Sequence, residues 1–429
     1  MVPDRSEKHI LSINLRMRTS GTRSTLTCLI CPANNLWNVT KKATDWTPGT
    51  KRPEQPLHDA FKLFDPDFED TNDTVIIIDE IQESSEIFNR IREFTRYFQA
   101  HFIVTGSYLG RVLEPEFKFS SGDITSIRIY TLSFKEFLEA LDDQLFQKYL
   151  SLPLDHADDT VPELYDELKN VYDIYRQIGG YPKVVETYLN TKDVEAAQKE
   201  LVRIIRIFLN ESMRYFDDIT DISVFTNIFL SICRILLREK KGLDEDSISE
   251  ELQKLVTKNY SSNLSKATCY RAINWLYHSG IIGFCGKITE LDILNFKPGS
   301  RCFFMDLGVA YYYLSRTGAT VSTMDGSLNE NYVYINLSKR QEFPEEIIFE
   351  TPAFATYKGG EIDFVAQTLK THIRYLIEVK AGKGTASTAL KALEQGKANK
   401  LLYLKGDTKG GTVGNVQTLP IYLLEQYHF

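Results

Sequence analysis

The chain has 429 residues, 43% of them hydrophobic and 25% charged, with a formal net charge of −8. That length admits two or three domains with proper cores, and the acidic balance argues against a uniform nucleic-acid coat while leaving room for a local basic groove. No apolar run reaches the length of a bilayer span and the N-terminus lacks a signal-peptide core, so no membrane partner is expected. Six scattered cysteines predict reduced thiols and a cytoplasmic setting. Cys28 and Cys31 form a CxxC with no second pair and no nearby histidine, which reads as apolar helix positions rather than zinc ligands.

After the short alternation Ile10-Leu-Ser-Ile-Asn-Leu15 comes the one candidate for a phosphate-binding loop, Arg16-Met-Arg-Thr-Ser-Gly-Thr-Arg-Ser-Thr25. Gly21, Arg23 and Ser24 are its candidate nucleotide contacts. The loop G-x-x-x-x-G-K-[ST] needs glycines so that successive N–H groups can curl around a phosphate, and a lysine to reach the terminal one. With Arg23-Ser24 in the Lys-Ser place, Thr22 and Met17 stand where glycines belong; with Gly21 as the second glycine, Thr22 replaces the lysine. ATP binding is therefore expected to be weak or lost, and a mis-assigned N-terminus explains the pattern as well as true loss does. Residues 32–73 are proline-punctuated, with one short helix expected around Leu57–Phe64.

Thr74-Val-Ile-Ile-Ile-Asp-Glu-Ile-Gln82 follows. An unbroken β-branched run reads as a strand buried on both faces, and acids at its carboxyl end sit where open α/β sheets bind ligands. This is the chemistry of a Walker B segment: Asp79 would hold Mg²⁺, and Glu80 would polarise the water that attacks a γ-phosphate. A buried strand ending in a solvated turn is the plainer alternative. Ile87, Ile91, Phe94 and Phe98 then mark an amphipathic helix. Ala100-His-Phe-Ile-Val-Thr-Gly-Ser107 reads as a second strand, with Thr105 or Ser107 placed to sense a bound phosphate. Ile124–Tyr130 reads as a third strand. Leu132-Ser-Phe-Lys-Glu-Phe-Leu138 opens a helix with Ser133 as its cap and Glu136 at the capping-box position.

The set Ile76-Ile-Ile-Asp-Glu-Ile-Gln82, Val104-Thr-Gly-Ser107, Thr131-Leu-Ser-Phe-Lys-Glu-Phe137 and Gly179-Gly-Tyr-Pro182 resembles a large family of prokaryotic AAA+-type ATPases. Members carry a C-terminal domain of unknown function with a restriction-endonuclease-like core. The resemblance implies ATP and Mg²⁺ as cofactors. Two departures cut against hydrolysis: the degraded loop, and Asp123 where an arginine often stands, since an aspartate cannot neutralise charge in phosphoryl transfer.

Residues 139–260 are helical by period, with long stretches at Val194–Leu209 and Ile219–Leu237, interrupted by the Gly179-Gly-Tyr-Pro182 turn, read as structural or at most a hinge. Ser247–Gly286 suggests a winged helix: a helix from Ile248, a capped second helix over Leu264–Gly280, and Ile281–Phe284 as the wing. In a DNA-binding version, Lys266, Tyr270 and Arg271 would face the major groove; a protein-packing role is the competing reading.

Beyond Pro298 the pattern turns to strands. A helix over Gly326–Leu337, strands at Glu346–Tyr357, Glu361–Gln367 and Ile373–Val379, a helix around Ser387–Asn399 and a strand at Lys400–Lys405 make an αβββαβ order, with Lys358-Gly-Gly360 as a hairpin turn. Period-two alternation sends Glu378 and Lys380 to one face, where Asp363 could join them. The two carboxylates and the Val379 carbonyl suit Mg²⁺, Lys380 could orient a water or stabilise phosphorane charge, and Glu330 on the preceding helix is the matching extra acid. This resembles the PD-(D/E)XK arrangement. A surface Lys–Glu pair on an edge strand is the alternative.

The expected fold class is thus α/β: a P-loop NTPase (AAA+-like) parallel-sheet domain over 1–140, a helical lid with winged helix over 141–298, and a restriction-endonuclease-like αβββαβ domain over 299–429. The expected function is an ATP-binding, nucleic-acid-directed protein with a Mg²⁺-dependent nuclease-like end. The alternative is a non-catalytic DNA- or protein-binding regulator. DNA is the expected partner, and homo-oligomerisation stays open.

Overall fold

The computed structural model describes residues 27–44, 56–106, 116–118, 122–216, 219, 222–238, 248–259, 265–341, 351–380 and 386–429. They fall into two compact units, 1–125 and 126–429.

The first unit is a parallel sheet of β1 (Thr27–Pro32), β2 (Thr74–Asp79) and β3 (His101–Val104) in the order β1-β2-β3, with α1 (Ala33–Thr44), α2 (Pro56–Phe64), α3 (Ser85–Phe88) and α4 (Ile91–Tyr97) between the strands. The isoleucine run forms the central strand because Ile76 and Ile78 on one face and Val75 and Ile77 on the other are all buried. Phe61, Phe94, Phe98 and Phe102 pack ring to ring over it. Cys31 sits in β1, not in a helix as its spacing suggested; it is fully buried, and burial pushes its thiol up to about 12. The amphipathic stretch after Gln82 is helical but broken into α3 and α4 at Asn89-Arg90.

Ile124–Tyr130 is not a strand. Ile127 and Ile129 are 83% and 89% exposed, and the backbone has no ladder there, because alternation alone cannot make a strand without a sheet edge to bond.

The second unit begins with helices α5 (Phe134–Leu141), α6 (Asp143–Ser151), α7 (Pro162–Ile178), α8 (Pro182–Thr191), α9 (Val194–Ser212), α10 (Ser223–Leu237), α11 (Ile248–Asn259) and α12 (Lys266–His278). Ser133 and Glu136 form the expected capping box on α5. Strands β4 (Ile282–Ile288) and β5 (Phe296–Phe304) then form a hairpin, followed by α13 (Leu307–Leu314) and α14 (Val321–Gln341). The chain ends with β6 (Ala353–Tyr357), β7 (Gly360–Gln367), β8 (Arg374–Lys380), α15 (Ser387–Glu394), β9 (Lys400–Lys405), β10 (Gly411–Val413) and β11 (Val416–Pro420). One mixed eight-stranded sheet unites β4 to β11 in the order β10-β11-β9-β8-β7-β6-β4-β5.

The helix–strand order α14-β6-β7-β8-α15-β9 follows the sequence expectation, but β6 starts at Ala353, and residues 342–350 of the expected strand lie outside the described ones. The Lys358-Gly359 turn has φ of 47° and 78°, the left-handed pair that a two-residue hairpin turn requires. The expected wing, Ile281–Phe284, is instead the start of β4. Ile282, Cys285 and Ile288 are buried, so the strand cannot project into solvent; its far end pairs in parallel with β6 through Gly286 and Ala353. Pro298 lies inside β5 and residue 140 inside α5. At the outer edge, the Asn331 side chain of α14 accepts from the Phe304 N–H at 2.9 Å and donates to its carbonyl at 2.8 Å, standing in for the next strand.

The turn Gly179-Gly180 is a clamp. Leu132 donates to the Gly180 carbonyl, Tyr175 donates its hydroxyl to the Leu132 carbonyl, and buried Asp306 accepts from Gly180 N at 2.9 Å and Val309 N at 3.2 Å. A Cβ on Gly180 would meet the Leu132 carbonyl oxygen at 2.0 Å, so only glycine fits. The motifs around Leu132, Gly180 and Asp306, far apart in sequence, thus converge on one junction.

Burial pushes the Asp306 carboxyl above the usual range, against the pull of the Gly180, Val309 and Gly308 amides and the Thr131 side chain. The folded state therefore binds this proton more readily than the unfolded chain. Its contribution to stability is full below the unfolded value, near pH 4, and is lost as pH climbs through the raised one. Asp306→Asn should lose one bond at every pH, yet gain on the unaltered protein as pH rises from about 4 to about 7; urea midpoints across that range check it.

Candidate functional site

Two clusters carry chemistry, one in each unit. In the first, Asp79 closes β2 and Thr105 follows β3. Thr105 donates its hydroxyl to Asp79 Oδ1 at 2.6 Å, the Glu80 amide donates to the same oxygen at 3.0 Å, and backbone bonds Thr105 N to Ile78 O and Ile81 N to Thr105 O lace the two strand ends together. Glu80 sits at φ 53°, ψ 51°, a left-handed conformation costing a non-glycine residue about 1 kcal/mol. Gln82 holds its carboxylate at 2.7 Å. Asp79, Glu80 and Thr105 are thereby gathered at one sheet rim.

Gly21, Arg23, Ser24 and Ser107 lie outside the described residues. The chain is already a strand at Thr27, so a phosphate loop ending at Thr25 would run into β1 rather than into the helix N-terminus whose amides normally face the phosphate. Asp123 pairs with Arg92 at 3.0 Å, a surface ion pair within the same unit.

The second cluster lies on β7 and β8. Their ladder runs antiparallel from Gln367↔Arg374 to Phe364↔Ile377. Two residues further along β8, the Val379 amide donates to the Asp363 carboxylate at 2.8 Å instead. Lys380 Nζ then lies 3.0 Å from Asp363 Oδ2 and 2.7 Å from Glu378 Oε2. Asp363 is wholly buried and Glu378 is 2% exposed, so both charges depend on these partners. Burial alone would lower the Lys380 ammonium; the charges of Asp363 and Glu378 and hydrogen bonds to both outweigh it and hold the group well above the ordinary lysine value. Such a raised group contributes stability that is full below the unfolded lysine value and is lost only as pH rises through the folded one, so the trio persists across neutral pH. It also makes Lys380 a fixed positive charge rather than a base.

Glu330 does not join this trio. Among the described residues, no three His, Cys, Asp or Glu side chains come together as a metal-holding group. Glu330 acts instead on Arg301: burial would lower that guanidinium, and Glu361 and Glu330 hold it raised. Arg301 Nη2 lies 2.5 Å from Glu361, two residues before Asp363, and the guanidinium stacks 3.9 Å from the Phe354 ring centroid. Arg301, Glu361 and Glu330 thus form a second charged group, near the start of β7.

Sequence reasoning missed Arg301, Glu361 and Tyr403. Parallel register sets Tyr403 beside Glu378 and Lys405 beside Lys380, and Lys405 Nζ stacks 4.3 Å from the Tyr403 ring centroid. Burial raises the Tyr403 phenol, with Lys380 pulling it down and Glu378 and Asp363 pushing it up, which places it within the same field. The alternation Tyr403, Lys405 on a strand following a Glu-x-Lys strand was the available signal.

Lys266 and Arg271 are exposed and Tyr270 half-buried on α12, while Thr268, Cys269, Ala272 and Ile273 face the core. The three share one helix face, with Arg271 stacked 5.4 Å from the Phe216 ring centroid.

Residues 47–138 match the model of an AAA domain, and residues 170–320 match that of a domain of unknown function, DUF8612. The AAA match begins past the loop candidate and takes in Asp79, Glu80 and Thr105; the trio of Asp363, Glu378 and Lys380 lies beyond both matches. Among solved structures, the chain is similar to the Aeropyrum pernix ORC1 protein in complex with DNA, at 15% identity and a TM-score of 0.25, over 72% of this chain and 78% of that one. So shallow a likeness fixes neither fold nor ligand. No curated protein matches the chain. Among the described residues no helix is long and apolar enough to cross a membrane.

Removing the ammonium strands two buried carboxylates. Lys380→Met should destabilise the protein by about 3 kcal/mol, and adding Glu378→Gln should recover part of that loss, as measured by urea denaturation.

Proposed function

We propose a nucleic-acid-directed protein that joins an AAA-type ATP-binding unit to a Mg²⁺-dependent phosphodiester site in its second unit. The observation that carries this reading is the convergence of Asp363, Glu378 and Lys380 within 3.0 Å on two buried strand ends. Two buried carboxylates over one ammonium leave a net negative charge, which fits a divalent cation. Asp363, Glu378 and the Val379 carbonyl would hold it, as a hard-oxygen set suited to Mg²⁺. The bound ion would supply Lewis-acid activation of a phosphate oxygen and a water. Lys380 keeps its charge at neutral pH and is placed to stabilise the extra negative charge of the attacked phosphate. Tyr403, a phenol that burial raises and that lies beside Glu378 across the β8–β9 register, would donate to a phosphate oxygen. In this reading Arg301, held by Glu361 and Glu330, orients the β7 acids without touching substrate.

For the first unit, the AAA match supports ATP as the ligand. Asp79 would hold Mg²⁺ through its water shell, Thr105 fixes the Asp79 carboxylate, and Glu80 would orient the attacking water. The strand at Thr27 favours weak binding. α12 would give the DNA contact through Lys266, Tyr270 and Arg271.

A second reading, a DNA- or protein-binding regulator without catalysis, is favoured by one observation: Lys380 bridges both carboxylates and, among the described residues, no third acid joins them. Plasmid nicking separates the two. With Mg²⁺ or Mn²⁺, the unaltered protein should nick supercoiled DNA, and Asp363→Ala and Lys380→Ala should each lower the rate by about a hundredfold or more; absence of nicking with every metal tried would leave the regulator. Separately, millimolar ATP with Mg²⁺ should raise the melting temperature, and Asp79→Ala should remove that shift.

A further inference from the structure

Lys380 is the last residue of β8, and its backbone is held in the sheet by parallel pairing with Lys405 and by the Gly406 amide, which donates to its carbonyl at 3.2 Å. Its side chain is placed differently from those of its partners. The Asp363 and Glu378 side chains are 0% and 3% exposed, whereas that of Lys380 is 20% exposed, so the ammonium is the member of the trio on the solvent side. It lies 3.0 Å from Asp363 Oδ2 and 2.7 Å from Glu378 Oε2, and the same Asp363 oxygen accepts from the Val379 amide. A lysine ammonium is a compact point charge on a flexible four-carbon stem, so a fixed backbone does not fix the charged head.

The two carboxylates read above as ligands of a divalent ion therefore already hold a monovalent one. In a site this buried, water screens little, and an ion and an ammonium drawn to the same pair of acids repel strongly. Each lowers the affinity of the acids for the other, and by linkage the effect is reciprocal. The competition holds whatever further donors the two acids accept.

We propose that the Lys380 ammonium is the resting occupant of the Asp363–Glu378 cation site, and that a divalent ion enters by displacing it toward solvent. This rests on the reading of the two acids as cation ligands and adds a regulatory step to their site. Ion entry and lysine release become one event, so the positive charge that would meet a phosphate is presented only when the ion is in place.

Mn²⁺ is titrated calorimetrically into the full chain, with Asp79→Ala in every sample so that an ion in the first unit does not contribute. Lys380→Met and Lys380→Gln should each bind Mn²⁺ at least about tenfold more tightly than the chain that keeps Lys380, and Asp363→Ala should remove the binding. Melting temperatures establish that the variants are folded, and Lys380→Gln, which keeps a hydrogen-bond donor, carries the test if Lys380→Met is not. In the chain that keeps Lys380, amine acylation mapped by peptide mass should label this lysine several-fold faster with Mn²⁺ than without, against the exposed Lys266 as reference. Equal or weaker Mn²⁺ binding without the lysine, or labelling that Mn²⁺ does not speed, would overturn the displacement while leaving the acids as ligands. Mn²⁺ binding by none of these proteins would overturn the cation reading itself, and the proposal with it.

Discussion

One carboxylate decides the shape of the candidate phosphodiester site. Asp363, wholly enclosed, takes the Val379 amide that the β7–β8 ladder would otherwise use. The amide is satisfied, so little is lost in hydrogen bonding. What changes is geometry: beyond Phe364 and Ile377 the strand ends are held by a side chain rather than by backbone. That pins a buried negative charge between them, and the Lys380 ammonium answers it, with Glu378 as second partner. Tyr403 then sits beside a centre already fixed by electrostatics.

The first unit uses a smaller version of the same device. Asp79 ends the most buried strand and is held by the Thr105 hydroxyl from the neighbouring strand and by the Glu80 amide. Turning the chain at Glu80 requires a left-handed backbone, and backbone strain of this kind persists where the surroundings over-determine it. The acidic rim proposed to face a nucleotide is thus held by contacts within the β2–β3 strand ends.

Much of this was legible in the sequence, for reasons that differ by element. The Ile76–Ile78 strand, the Ser133 capping box, the Lys358-Gly359 hairpin and the Asp363, Glu378, Lys380 grouping follow from period, cap and turn chemistry, all local signals. The failures were non-local. Ile124–Tyr130 alternates like a strand yet has no ladder, and Ile281–Phe284 reads as a wing because nothing nearby in sequence announces that β4, which it opens, will pair with β6 more than sixty residues on. Arg301 and Glu361 escaped notice for the same reason: each is ordinary until β5, β6, β7 and α14 bring them together.

The sharing of β4 has a mechanical consequence. This strand packs against α12, pairs with β5 on one side and β6 on the other, and so makes the exposed face of Lys266 and Arg271 continuous, through hydrogen-bonded backbone, with the strands that bear the acids. On the function proposed above, a duplex gripped by α12 would meet the acidic strands at an offset along its axis set by the width of the sheet between them rather than by the length of a linker.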